Sequence, residues 1–163
     1  MDTIEDGGRI VNVASRAHYS VPKTGINYEN LFNPTSTAHG LPEYAVSKLA
    51  NILHAKSLAK KLAGRNITTY SLHPGVVASE VWRGVPRFIR GFIQLFMLSV
   101  EDGALTTCYC ASSEEAGKET GLYYDTSRVK EPSACALDSD MSDKLWEKSE
   151  YFLSKVESDE AKL

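Results

Sequence analysis

The sequence predicts an α/β fold, with a parallel sheet of about three strands and helices on its faces. Three short segments rich in β-branched and aromatic residues are typical of buried strands: 9–15, 67–73 and 121–125. Three longer segments repeat apolar residues at helical spacing: 42–62, 100–112 and 142–156. Because strands and helices alternate, each crossover should join two parallel strands, and the strand ends should form the ligand-binding edge.

The first strand and the first helix carry the clearest local signals. Ile10, Val11 and Val13 are β-branched, and two glycines precede them. The connection that follows is too long for a simple turn between a strand and a helix, which favours a functional role for it. Pro42 suits the first turn of the helix, and Gly64 is a natural stop after its end.

The second half of the chain is predicted from weaker signals. A Pro-Gly pair ends the second strand, and Ser99 with Asp102 forms a capping box that predicts the middle helix. Residues 126–140 are expected to be irregular. The final helix is expected to bury one apolar face, made of Leu145, Trp146, Phe152, Leu153 and Val156.

Composition argues against several classes of function. The formal net charge is -3 and no Lys/Arg block is present, which argues against nucleic acid as the main partner. Three cysteines without framework spacing indicate reduced thiols in an intracellular chain, and no metal site is expected. The sequence has no secretory signal and no run of about 20 apolar residues, so we expect a cytoplasmic location.

Tyr44 and Lys48 are the residues best suited to chemistry. Their spacing of four on a helix places both side chains on one face, within reach of each other. A phenol is a poor acid or base at neutral pH, and a neighbouring ammonium favours its phenolate. Ser15 ends the first predicted strand, where a hydroxyl can hydrogen-bond a substrate oxygen. Tyr-x-x-x-Lys alone is common by chance, and a surface pair on a helix is the alternative interpretation.

Three motifs in this order resemble those of short-chain dehydrogenases/reductases: GRIVNVAS at 8–15, YAVSKLAN at 44–51 and HPGVVAS at 73–79. Smaller features, such as Ala17-His18 and the sequence LWE at 145–147, resemble retinol dehydrogenases and their relatives. The resemblance covers nearly the whole chain and implies a partial Rossmann-type, doubly wound parallel sheet. Epimerase- and dehydratase-type relatives also use Tyr-x-x-x-Lys, and they match the smaller features less well.

The resemblance implies a role for each matched residue. Tyr44 would be the general acid/base, Lys48 would hold the nicotinamide ribose and tune Tyr44, and Ser15 would stabilise the substrate oxygen. Besides Tyr44 and Lys48, four positions would contact the cofactor: Pro74, Gly75, Val76 and Ser79. The implied reaction is reversible hydride transfer between a nicotinamide and an alcohol/carbonyl pair. The implied cofactor is NADP(H), with NAD(H) as the alternative.

Segment 80–99 matches the family's substrate lid in position. It is apolar and aromatic, which suits a lipophilic substrate such as a retinoid or a lipid aldehyde. Two other interpretations stay open: these side chains pack on the body of the domain, or they touch a membrane surface peripherally. The resemblance also implies a homodimer or heterodimer through the helix of Tyr44, and association with the endoplasmic reticulum surface as an alternative location.

Residues 1–163 are expected to form the C-terminal, catalytic half of such a domain. They contain no G-x-x-x-G-x-G or G-x-G-x-x-G turn, with which the family seats the cofactor pyrophosphate. We therefore expect these residues alone to bind cofactor weakly and to turn over little, and we expect an open edge on the first strand. The alternative function is a non-catalytic truncated isoform that binds or regulates a full-length relative.

Overall fold

The computed structural model describes residues 4–31, 33–34, 40–77 and 97–160. The strands in these ranges are β1 (Arg9–Val13), β2 (Thr68–His73), β3 (Leu122–Asp125) and β4 (Arg128–Val129). The α-helices are α1 (Leu41–Lys61), α2 (Val100–Ser112), α3 (Ala134–Leu137) and α4 (Ser139–Glu160). Short 3₁₀ helices follow β1 and α2, at Arg16–Ser20 and Ala116–Lys118. Every predicted strand and helix is present near its expected position.

The sheet has the predicted parallel core. Its strand order is β1-β2-β3-β4, and β1, β2 and β3 all run parallel. Val13 lies opposite Leu72, and His73 lies opposite Asp125, so the three parallel strands end at one edge. This edge is where ligands bind in open parallel sheets.

The prediction that residues 126–140 are irregular is wrong for two segments. Thr126 and Ser127 both have positive φ, at 52° and 57°, and they turn the chain so that β4 pairs antiparallel with β3. A two-residue turn of this kind favours Asn-Gly or Asp-Gly, and Thr-Ser does not carry that signal. The short helix α3 also forms in this segment, where Cys135 and Ala136 are buried.

Helices cover both faces of the sheet. On one face, α1 buries Leu49, Ile52 and Leu53 against Tyr123 of β3. On the other, Cys110 of α2 packs with Tyr70, Leu72 and Tyr124, and the Tyr70 and Tyr124 rings meet edge to face with centroids 5.8 Å apart. Burial of large side chains on each face contributes about 1.5–3 kcal/mol apiece, which holds the strand ends in fixed register.

Only the first part of α4 is buried against the domain. The Ser57 and Ser142 hydroxyls are 2.7 Å apart, and Leu145 is buried, which matches part of the predicted face. Trp146 is partly buried, but the prediction is wrong for three apolar residues of the second half, which are exposed: Phe152, Leu153 and Val156. The hydrogen bonds from α4 to α1 involve Ser142 and Asp143, so the helix is held at its start. No helix of the described ranges is long and apolar enough to cross a bilayer.

Candidate active site

Tyr44 and Lys48 lie together on the first turns of α1, as their spacing predicts. The Lys48 ammonium is 5.4 Å from the centroid of the Tyr44 ring. Tyr44 is 46% exposed, so its hydroxyl is accessible from solvent. The same ammonium donates a hydrogen bond to the Val13 carbonyl at 3.1 Å, which fixes α1 against the end of β1.

A second Tyr-x-x-x-Lys pair shows that position, not pattern, distinguishes Tyr44 and Lys48. Tyr151 and Lys155 repeat the spacing on α4, with the ammonium 4.6 Å from the ring centroid. This pair lies on the exposed second half of α4, a helix whose main packing partners are α1 and α3. It therefore provides a matched control within the same chain.

Asn51 and Asn12 join this site, and sequence reasoning did not assign either a role. Asn51 Nδ2 donates to the Val13 carbonyl at 3.0 Å, so this oxygen accepts from both Asn51 and Lys48. Asn12 Nδ2 donates to the Asn51 carbonyl at 3.0 Å and is 2.9 Å from His54 Nδ1. The available signal was spacing, since Asn51 follows Lys48 by three residues on a helix.

Ser15 follows the end of β1, which stops at Val13 and not at the predicted residue 15. The strand ends early because Ser15 caps the 3₁₀ helix Arg16–Ser20, where its Oγ accepts the Ala17 N–H at 3.2 Å. With an acceptor role already filled, the hydroxyl hydrogen remains available to a substrate. Lys48 connects this region to Tyr44, because its ammonium lies over the Tyr44 ring and donates to the carbonyl of Val13, two residues before Ser15.

Pro74, Gly75 and Val76 form the turn after β2, as predicted. Gly75 has φ +92°, and a Cβ atom there would lie 2.3 Å from Leu98 Cδ1. The Val76 carbonyl accepts the Leu98 N–H at 2.9 Å, while the Val76 side chain is 51% exposed. The predicted contact residue Ser79, and the lid prediction for 80–96, lie outside the described residues.

Asp125 is the buried charge of this edge. Arg16 donates to both of its carboxylate oxygens, at 2.7 and 3.1 Å, and Lys130 donates at 2.9 Å. Burial opposes ionisation, but the hydrogen bonds and charges of Arg16 and Lys130 outweigh it and lower the pKa of Asp125. No group of three or more His, Cys, Asp or Glu side chains in the described ranges is arranged to hold a metal ion.

Two buried histidines predict a loss of stability in mild acid. Burial lowers the pKa of both His18 and His73 from the ordinary value of 6.5. The unfolded chain therefore binds protons first, so stability is full above about pH 6.5 and falls as pH drops toward the folded-state pKa values. The slope is at most about 1.4 kcal/mol per pH unit for each histidine. Urea unfolding at pH 7.5 and 5.5 should show the loss.

His73→Asn provides the control for this pH effect. The His73 Nδ1 atom has no hydrogen-bond partner, so the amide removes the titration with little loss of bonding. The variant should reduce, without abolishing, the dependence of unfolding free energy on pH between 7.5 and 5.5, because His18 and His54 keep their lowered pKa values. Stability that rises on acidification, or an unchanged slope in the variant, would contradict the assignment. Asp125 does not interfere, because its lowered pKa confines its contribution to more acidic conditions.

Comparison with known proteins decides the family. No protein-family model matches the chain. Short-chain dehydrogenase TIC 32 A, chloroplastic, from Brassica napus is 36% identical over 156 residues, which cover 93% of this chain and 48% of that protein. Retinol dehydrogenase 11 from Homo sapiens is 36% identical over 143 residues, with 86% and 44% covered. The chain belongs to the short-chain dehydrogenase/reductase family.

Solved structures agree with this membership. A short-chain dehydrogenase/reductase from Serratia marcescens is 29% identical with a TM-score of 0.50, over 76% of this chain and 46% of that one. An uncharacterized protein from Mycobacterium Paratuberculosis has a TM-score of 0.65 at 25% identity, over 88% and 49%. The predicted partial Rossmann-type fold is confirmed. The chain spans about half the length of the curated relatives it matches.

In this short-chain dehydrogenase/reductase chain, some of the predicted site residues contact each other directly and others only share the same edge of the sheet. Tyr44 and Lys48 contact each other, and Lys48 ties them to the β1 end near Ser15. Sequence reasoning missed Asp125 and its two cations, because Arg16 lies 109 positions away and Lys130 reaches Asp125 only across the β3–β4 hairpin, which was not predicted. The roles of all these residues stay predictions.

Proposed function

We propose that the native protein that carries these residues is a nicotinamide-dependent oxidoreductase that interconverts an alcohol and a carbonyl. The observation that carries this proposal is the Lys48 ammonium, which lies beside the half-exposed Tyr44 ring and reaches the end of β1. A proton-transfer group is thereby held at the ligand-binding edge of a parallel sheet. The names of the relatives, which are dehydrogenases, support the same reaction class.

The side chains would divide the work as follows. In the oxidation direction, deprotonated Tyr44 takes the proton of the substrate hydroxyl, and Ser15 donates a hydrogen bond to the same oxygen. Lys48 and the turn after β2 would hold a nicotinamide, which would supply the two-electron chemistry by taking a hydride from the carbinol carbon. In the reduction direction, Tyr44 returns the proton to the oxygen. Lys48 holds its ammonium beside the Tyr44 ring and offers N–H donors to ribose hydroxyls.

The turn after β2 has the features that a nicotinamide needs. Gly75 lets the backbone pass close to Leu98, where a Cβ would not fit. Pro74 and Val76 present accessible surface on either side of it. Lys48 supplies the cationic donor on the neighbouring helix. We assign Pro74, Gly75, Val76 and Ser79 to cofactor contact, and we propose NADP(H) over NAD(H) on the resemblance to retinol dehydrogenases.

Two glycine variants test the assignment of the turn. Gly75→Ala and Gly64→Ala both place a Cβ on backbone with φ near +90°, which costs about 1–2 kcal/mol in each case. Only the Cβ at position 75 also meets a neighbour, Leu98; at 64 nothing lies within 4 Å. We expect the larger loss in urea unfolding in Gly75→Ala, because its Cβ also meets Leu98, and a weaker affinity for NADPH only in that variant. Equal affinities in both variants would contradict the assignment.

We propose a lipophilic substrate, such as a retinoid or a lipid aldehyde. The apolar sequence of 80–99 and the name of the relative retinol dehydrogenase 11 support it. The test compares retinaldehyde, a long-chain aldehyde and a two-carbon aldehyde with NADPH and with NADH. We expect the highest kcat/KM with a long aldehyde and NADPH. Equal kcat/KM for short and long aldehydes would refute the lipophilic substrate, and no consumption of either cofactor would refute the oxidoreductase.

A second candidate function rests on the outer side of β1. In the part of the chain that the structure describes, β1 pairs with β2 alone, and Val13 is exposed. An unpaired strand edge is a pairing site for a further strand. If residues 1–163 are the catalytic half of a longer domain, the other half of that domain would pair with this edge. If they are a truncated isoform, a full-length relative or a second copy would pair with it.

The mass of the native protein separates these two candidates. An antibody against α4 would detect it in cell extracts. A species near twice 17.9 kDa supports the catalytic half of a longer enzyme. A species at 17.9 kDa supports the truncated, non-catalytic partner.

We further propose a cytoplasmic location, with contact to the endoplasmic reticulum surface through 80–99, on the resemblance to retinol dehydrogenases. The Brassica relative is named chloroplastic, so cell fractionation is the test.

A further inference from the structure

The Ser15 carbonyl is held from two directions by one residue. His18 donates to this oxygen through its backbone N–H at 3.2 Å and through its ring Nδ1 at 2.6 Å. The Ser15 Oγ meanwhile accepts the Ala17 N–H at 3.2 Å. Both the backbone and the side chain of Ser15 are therefore fixed by the three residues that follow it.

Both ring nitrogens of His18 are hydrogen-bonded, and the ring is buried. Its exposed fraction is 0%, and its Nε2 accepts the Ser133 N–H at 3.1 Å. The ring packs at 4.0 Å between centroids against Tyr19 and edge-on at 5.0 Å against Tyr123. Because one ring nitrogen faces a carbonyl and the other faces an N–H, only the neutral tautomer with hydrogen on Nδ1 satisfies both bonds.

Other bonds connect the same turn to the far side of the sheet edge. Arg16 binds Asp125 at the end of β3, and the Tyr19 hydroxyl donates to the Glu131 carbonyl at 2.6 Å. With the bond from Ser133, these contacts fasten the turn 15–20 to the segment after β4. His18 is the member of this set that reaches Ser15 itself.

We propose that His18 is a positioning residue that holds the Ser15 turn so that the Ser15 hydroxyl faces the reacting oxygen. The inference rests on the proposed function, because Ser15 matters in this way only if it binds substrate. A side-chain donor displaced by about 1 Å can cost about 100-fold in rate, which makes a buried bond at 2.6 Å an effective control on the chemistry. His18 touches no substrate and acts through Ser15.

The charged groups around His18 are compatible with its neutral state. Burial lowers the pKa of His18 most, the bond to the Ser15 carbonyl opposes this, and the Lys130 charge lowers it further. Arg16 and Lys130 are both paired with the Asp125 carboxylate at the end of β3, so its negative charge offsets part of their positive charge near His18. His73, on β2, also lies near this cluster, and burial keeps its pKa low as well.

Two amide variants separate the two ring bonds. His18→Asn places an N–H donor near the position of Nδ1, and His18→Gln places an acceptor near that of Nε2. We expect His18→Asn to keep kcat within about threefold of the native protein. We expect His18→Gln to lower kcat by about 10–100-fold with a smaller change in KM, because the Ser15 carbonyl loses its side-chain donor and keeps only the backbone N–H of residue 18.

A double-mutant cycle with Ser15→Ala decides whether the effect passes through Ser15. In a Ser15→Ala background, His18→Gln should cause no further loss of kcat. An equal loss in both backgrounds would overturn the proposal, since it would show a purely structural role. Failure of the proposed function is recognised separately, because Tyr44→Phe would then leave turnover unchanged.

Nitrogen-15 NMR of the histidine rings tests the geometry without any turnover. We expect the His18 ring in the native protein to be neutral, with hydrogen on Nδ1, at pH 7. A ring protonated on Nε2, or a cationic ring at that pH, would overturn the proposal even if the variants fold poorly.

Discussion

Tyr44→Phe is expected to lower kcat/KM for carbonyl reduction by about 10²–10⁴-fold, the usual contribution of a positioned general acid or base. The phenol is the accessible acid on the first turns of α1, and the Lys48 ammonium lies 5.4 Å from its ring. Phe keeps the ring and removes only the proton-transfer group, so the affinity for NADPH should change little. Steady-state kinetics of the native protein and the variant give both values.

Tyr151→Phe is the matched control for this variant. Tyr151 also stands four residues before a lysine on a helix, and it is 58% exposed. Its removal should leave kcat/KM within experimental error, because it lies on α4 and not on α1, the helix that reaches the end of β1. Similar losses in both variants would mean that the position of Tyr44 at the sheet edge has no catalytic meaning.

Lys48→Met is expected to lower kcat/KM by about 10²-fold or more, with a rise in the KM for NADPH. Met keeps most of the aliphatic stem and removes the ammonium beside Tyr44, as well as the donor to Val13 and to ribose hydroxyls. Steady-state kinetics with NADPH and a long-chain aldehyde measure both changes.

Lys155→Met controls for the general loss of one positive charge. Its ammonium lies over the Tyr151 ring, 4.6 Å from the centroid, on α4 and not on α1. We expect an unchanged KM for NADPH in this variant. A rise in KM equal to that of Lys48→Met would show that net charge, and not the position of Lys48, governs cofactor binding.

The parallel core of the fold followed from the sequence because its signals are local. The β-branched run at β1, the Pro-Gly break after β2 and the Ser99 cap of α2 each act within a few residues, and the structure has all three. The Tyr44–Lys48 contact was predictable for the same reason, since a helix brings positions four apart to one face.

Features that depend on distant partners were not predictable in this way. Asp125 becomes a paired charge because Arg16, 109 positions away, crosses the sheet edge to reach it. The exposed face of α4 follows from where α4 leaves α1, although Phe152, Leu153 and Val156 have helical spacing typical of a buried stripe. The β4 hairpin depends on left-handed backbone at Thr126 and Ser127, residue types that seldom adopt it.

The hypothesis that Tyr44 and Lys48 mark a site of alcohol/carbonyl interconversion is tested by deuterium transfer to a long-chain aldehyde from NADPH that carries deuterium at both C4 positions. We predict that the native protein places one deuterium on the carbinol carbon of the product, that Tyr151→Phe does so at the same rate, and that Tyr44→Phe does so at least about 100-fold more slowly. Product without deuterium, or equal rates of transfer in Tyr44→Phe and the native protein, would contradict the account.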